Sequence, residues 1–119
     1  MFKFLNFLVR RPGMTPEEFR NHYENSHVPL SFRTFPQILE HRRNYPQDGG
    51  AYFPEGMAQP WDCVAELWFE DRKGFDDLMK FMSDPVASAE VVRDGVKFLD
   101  MPRCGMLLVD ETVTTRSRR

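Results

Sequence analysis

The chain is poor in the features that would mark several classes of protein. Only two cysteines, Cys63 and Cys104, occur among its 119 residues, and they form no metal motif. Free thiols in a reducing cytoplasm are therefore expected. No uninterrupted apolar run is long enough to cross a bilayer, and the start Met1-Phe2-Lys3-Phe4 is too short for a signal peptide. The formal net charge is only -2, which gives no bulk pull toward nucleic acid or an acidic membrane. The one basic run, Thr114 to Arg119, reads as a solvated, frayed tail, so residues 1–112 are expected to form the domain and 113–119 its extension. Against these shortages stand 41% hydrophobic and 13% aromatic residues, enough for the core of one domain of this length.

The stretch Thr15 to Leu30, TPEEFRNHYENSHVPL, is predicted to be an amphipathic helix. Thr15 suits the N-cap, Pro16 the first helical position, and Glu18 completes a capping box with Thr15. Phe19, Tyr23 and His27 recur at four-residue intervals, with Leu30 three further on, so one face carries all four. Pro29 is read as the end of the helix, because the residue before a proline avoids the helical region. His27 is then expected to point inward among apolar neighbours, where burial shifts its pKa and suits it to proton transfer. A packed histidine satisfied by one hydrogen bond gives the same spacing.

Residues 3 to 10, KFLNFLVR, form the first predicted strand, with Asn6 the polar exception on the face of Phe4 and Leu8. Residues 38 to 45, ILEHRRNY, are a more polar strand that suits a sheet edge, with His41 and Tyr45 on one face. The run 46–61 is rich in glycine and proline and has no period; such loops are often lids or partner contacts. Residues 63 to 70 make the third strand, whose Glu66 needs a partner if buried, with Arg42 or Arg43 on the preceding strand as candidates. A helix over 71–83 carries Phe75, Leu78, Met79 and Met82 at helical spacing, read as core rather than a methionine site. A further helical stretch places Val91, Asp94 and Phe98 on one face, and the last strand runs from Cys104 to Glu111.

The order βαββαβ suits an α+β, ferredoxin-like fold: a four-stranded antiparallel sheet with its helices on one face. Phe4, Leu8, Val64 and Trp68 are expected on one side of the sheet and Leu5, Phe7, Leu67 and Phe69 on the other. One layer of helices cannot cover both sides, which predicts a homodimer. The third and fourth strands are not neighbours in this order, so Cys63 and Cys104 should not pair.

Several ordered motifs resemble the EthD family. They are Arg11-Pro12-Gly13-Met14-Thr15, Glu18-Phe19, His22-Tyr23 and His27-Val28-Pro29-Leu30; then Arg43-Asn44-Tyr45, Trp61-Asp62 and Ala65-Glu66-Leu67-Trp68-Phe69; and finally Asp94, Phe98, Asp100 and Glu111. The resemblance covers nearly the whole chain and implies a dimeric α+β barrel with a pocket between sheet and helices. It also implies cofactor-independent tailoring of aromatic polyketides by decarboxylation, dehydration, isomerisation or cyclisation, or a place in alkyl ether degradation. Carried over by residue, His27 is the general acid or base; Asp62, Asp94 or Asp100 orients it; and Tyr23 donates to a developing oxyanion. Phe19, Tyr23, Tyr45 and Trp68 are expected as walls for a flat ligand, with His41 as a pocket candidate and His22 as structural or peripheral.

Two rivals differ in kind. Barrel monooxygenases that degrade haem use an asparagine on the first strand and a tryptophan on the third, which Asn6 and Trp68 could mimic, but their axial histidine is missing because none follows His41. Oxidation without a cofactor stays open. The other rival is a non-catalytic dimer that binds an apolar compound. A metal site finds no support, since His22 and His27 are five apart, wrong for one face of an α-helix.

Overall fold

Thr15 opens the first helical run as its residue types dictate. Its hydroxyl accepts from the Glu18 amide at 3.1 Å, while its own amide donates to the Glu18 carboxylate at 2.9 Å. In the computed structural model, which describes residues 1–118, helix α1 spans Pro16–His22 and α2 spans Val28–Thr34. Between them Tyr23–His27 forms one π-helical turn. The helical run therefore passes through Pro29 instead of ending there. The five-residue turn separates two α-helical pieces, so Pro29 falls in the first turn of α2, the part of a helix that tolerates proline.

Strands β1 (Phe2–Leu8), β2 (Glu40–Asn44), β3 (Cys63–Phe69) and β4 (Gly105–Leu108) form one antiparallel sheet in the order β2-β3-β1-β4. β3 and β4 are not neighbours, and Cys63 and Cys104 are free thiols, as the strand order requires. Helix α3 (Arg72–Ser83) is capped by the Asp71 carboxylate, which accepts from the Gly74 amide, and α4 (Ala89–Val96) follows. The sheet is four-stranded, antiparallel and ferredoxin-like, as its element order predicts.

The register corrects the expected sides. Phe4 lies opposite Leu67 and Leu8 opposite Cys63, whereas Lys3 lies opposite Trp68 and Phe7 opposite Val64. Cross-strand partners share a face, so Phe4, Leu8, Leu67 and Phe69 meet the helices, while Leu5, Phe7, Val64 and Trp68 form the outer face. The offset between two strands cannot be read from alternation within each. On the helix side Phe4, Phe69 and Phe75 interlock, with ring centroids 5.4 to 6.1 Å apart. On the outer side Glu66 finds Lys3 at 3.0 Å, not the expected arginine; Arg42 turns to Glu40, and Arg43, opposite Ala65, lies on the helix side and binds Glu24.

The segment 46–61 has no helix or strand. Its Trp61 ring sits 4.7 Å from Phe7, on the outer face. Arg119, the last residue of the expected basic tail, lies outside the described residues.

Because the capping box opens the run that carries His27, Thr15→Ala should lower unfolding stability by about 1 kcal/mol. The midpoint of urea unfolding measures this, and no shift would show the cap to be dispensable.

Candidate active site

The π turn decides which side chains converge. In it the Val28 amide donates to the Tyr23 carbonyl, five residues back. In such a turn residues five apart stack as residues four apart do in an α-helix. His22 and His27, badly spaced for an α-helical face, thus turn toward one point. That point is the Asp94 carboxylate on α4, whose Oδ1 lies 3.1 Å from His22 Nε2 and whose Oδ2 lies 2.9 Å from His27 Nδ1. Ser26 adds a third bond, its hydroxyl donating to Oδ1 at 2.8 Å. Both imidazoles also lean on Phe98, with ring centroids 4.9 and 5.1 Å away.

The charges follow from this arrangement. Burial works against ionised Asp94, but hydrogen bonds from Ser26 and His27 outweigh it and hold the carboxyl below its ordinary range. An ionised carboxylate only accepts, so His27 Nδ1 and His22 Nε2 carry the protons. Burial lowers the His27 pKa more than Asp94 raises it, so the ring is neutral at neutral pH. Its Nε2 then presents a lone pair and has no hydrogen-bond partner among the described residues.

His27 lines an apolar cavity of about 330 Å³ between the helix-facing side of the sheet and α2, α3 and α4. Phe4, Leu67 and Phe35 form part of its wall. Four of the seven methionines, Met79, Met82, Met101 and Met106, also line it, so the methionine pattern of α3 serves a cavity as well as the core.

The remaining expected site residues lie elsewhere. Asp62 accepts from the Arg10 amide at 2.8 Å and the Arg10 guanidinium at 3.2 Å. Asp100 borders a separate polar cleft with Arg11 and Arg103. Neither approaches His27, because only Asp94 shares the buried face of α4. Phe19 and Tyr23 are almost fully buried beside Phe98 and do not line the cavity. Tyr45 stacks on Arg20 and donates to Glu24, and Trp68 sits on the outer face beside Lys3 and Arg42. Asn6 lines the cavity, so Asn6 and Trp68 are on opposite faces of the sheet and cannot form the pair that the rival haem-degrading reading needs. Ser26 directly precedes His27, while Ser31 lies past the helix end expected at Pro29, and neither carries a signal of its own in the sequence. His41 lies behind the site, with Nε2 2.8 Å from the Tyr23 hydroxyl and a buried, unpartnered Nδ1. Burial, then the nearby Arg43 charge, pushes its pKa down to about 4.

An antiparallel four-stranded sheet with helices on one face and an apolar cavity between the layers defines an α+β protein of the ferredoxin-like type. The family model for the EthD domain matches residues 11–102, and the chain belongs to that family. An EthD-like protein from Ralstonia eutropha JMP134 has a similar structure at 15% identity, with a TM-score of 0.62 and 99% of this chain and 97% of that one covered. An ethyl tert-butyl ether d (EthD) family protein from Bacillus halodurans C-125 is 19% identical, with a TM-score of 0.61 and 94% and 100% covered. A protein of Arabidopsis thaliana is 15% identical, with a TM-score of 0.59 and 99% and 100% covered. At these identities the likeness is one of fold. No curated protein matches the sequence. Among the described residues no helix is long and apolar enough to cross a membrane.

The buried His41 gives the fold an acid-sensitive core. An unfolded histidine binds its proton near pH 6.5, whereas His41 in the fold resists until about pH 4. The stability this contributes is present above pH 6.5 and is lost as pH falls toward 4, by about 2–3 kcal/mol. Urea midpoints across that range should fall in the wild type and fall less in His41→Gln, which keeps a partner for Tyr23 without titrating. Parallel curves would remove His41 as the cause.

Proposed function

We propose that the protein is a cofactor-independent lyase or isomerase acting on a small aromatic or polyketide-like carbonyl compound. The observation that supports it is His27: one nitrogen held by Asp94, the other open, on the wall of an apolar cavity of about 330 Å³. A cavity of this size and lining suits a small flat ligand.

The chemistry follows from the tautomer. Neutral His27 takes a proton through Nε2 from the carbon next to the carbonyl, and the C–H electron pair moves toward the carbonyl oxygen. The imidazolium that forms donates through Nδ1 to ionised Asp94, which stabilises it and holds the ring in place. Returning the proton to another atom isomerises the compound; giving it to a β-hydroxyl group that leaves as water dehydrates it; giving it to the alkoxide formed when the carbanion attacks a second carbonyl cyclises it. In decarboxylation His27 first takes up the proton of the substrate acid at Nε2, carbon dioxide leaves, and the imidazolium gives that proton to the carbanion left behind. Each route needs one proton carrier and a dry pocket.

We also propose that a second copy covers the outer face of the sheet. Leu107 is 52% and Trp61 37% exposed there, beside Leu5 and Phe7, an apolar surface suited to a partner.

Aryl β-keto acids and β-hydroxy ketones are suitable trial substrates, with products followed by chromatography and mass spectrometry. His27→Ala should reduce turnover by about two to four decades with the fold intact. Asp94→Asn should reduce it by about one to two decades and move the acid limb to lower pH, because Asp94 raises the His27 pKa. In the wild type that limb should fall below about pH 6.5, since the base must be neutral. Turnover unaffected by His27→Ala overturns the assignment; binding without turnover favours a carrier in ether or aromatic degradation. Sedimentation should give about twice the chain mass of 14.1 kDa, and Leu107→Lys should return the monomer; a monomeric wild type defeats the pairing.

A further inference from the structure

The cavity holds two more polar side chains that the His27–Asp94 pair does not use. Asn6 projects from β1 between Phe4 and Leu8, and its cross-strand partners are Ala65 and Met106. Small Ala65 leaves room beside the amide. Ser31 lines the same cavity from α2 and is buried. Neither side chain has a hydrogen-bond partner among the described residues. The contrast with Thr34, whose hydroxyl donates back to the Leu30 carbonyl at 2.7 Å, shows that α2 can satisfy a hydroxyl locally. An amide and a hydroxyl in an apolar lining, each without a partner, mark where a ligand atom gains most from a hydrogen bond.

Their chemistry is complementary to that of His27. The imidazole presents a lone pair at Nε2, and therefore accepts. The Asn6 amide nitrogen and the Ser31 hydroxyl donate. We propose that Asn6 and Ser31 hold the carbonyl oxygen of the ligand while His27 faces the adjacent carbon, so that the cavity selects flat, apolar ketones and related carbonyl compounds. The inference rests on the function proposed above and names the groups that hold the oxygen. When Nε2 removes the proton, the C–H pair becomes the enolate C=C and the carbonyl π pair moves onto oxygen. The two donors then meet a full negative charge, and their bonds strengthen as that charge develops.

Two probes of nearly equal shape isolate these donors: 2-acetonaphthone, and 2-isopropenylnaphthalene, in which CH₂ replaces the oxygen. Lone-pair-bearing Nε2 cannot donate to the ketone, so the difference between the probes reports the donors alone. Methyl-13C methionine spectra read occupancy at the site, because Met79, Met82, Met101 and Met106 line it and Met57 does not. Both probes should shift those four signals and spare Met57. In Asn6→Ala and in Ser31→Ala, with unchanged amide spectra as a check of folding, preference for the ketone over the alkene should fall by about two- to tenfold, the range for one neutral hydrogen bond. His27→Ala should leave that preference in place. An unaltered ratio in both variants, with the methionine signals still moving, overturns the oxygen-holding pair but leaves the cavity as a ligand site. Failure of both probes to move those signals overturns both.

Discussion

One carboxylate organises the helical layer. Asp94 receives Ser26, His22 and His27, and thereby ties α4 to the π turn between α1 and α2. A buried carboxylate is costly unless its lone pairs are filled. Here three donors fill them, Ser26 and His27 from the turn whose bonding runs five residues back and His22 from the end of α1 just before it. The other residues of that turn are also tethered. Tyr23 binds His41, while Glu24 takes two bonds from Arg43 and one from Tyr45, which hold its carboxyl at about 2. A wider turn is less well bonded than an α-turn; its side-chain contacts to α4 and β2 offset that loss, and the imidazole is positioned as a result.

The fold was legible to the extent that it depends on local pattern. Alternation in 63–70, helical spacing in 71–83 and the Thr15–Glu18 capping box each specify an element without reference to distant residues. Their order then leaves few topologies. What alternation lacks is phase between strands. Phe4 and Leu67 share a face because of a register that only pairing determines, so the two sides of the sheet were assembled from the wrong halves.

The site was legible in part for the same reason. His27 and Asp94 could be placed on inward faces of their helices by spacing, but the contact between them is tertiary. Asp62 and Asp100 carry the same functional group at comparable places in the sequence and were indistinguishable until the sheet and α4 were placed. The α-helical rule puts His22 off the His27 face, yet the π turn between them brings both rings to Asp94. Phe19, Tyr23, Tyr45 and Trp68 suit walls because they are aromatic, yet none lines the cavity, whose wall is made largely of methionine and leucine. Aromatic content says that large surfaces are buried, not which cavity they border.

The sheet also acts as a partition. One strand thickness separates His27 and its cavity from the outer layer, where Lys3 lies between Glu66 and Glu111 and against the Trp68 ring. Neighbouring residues on each strand belong to opposite compartments: Asn6 faces the cavity, while Leu5 and Phe7 face outward. Such a wall allows the two sides to diverge separately. Descendants of this chain can change what they adhere to through odd-numbered β1 positions and what they enclose through even-numbered ones, with little interference between the two.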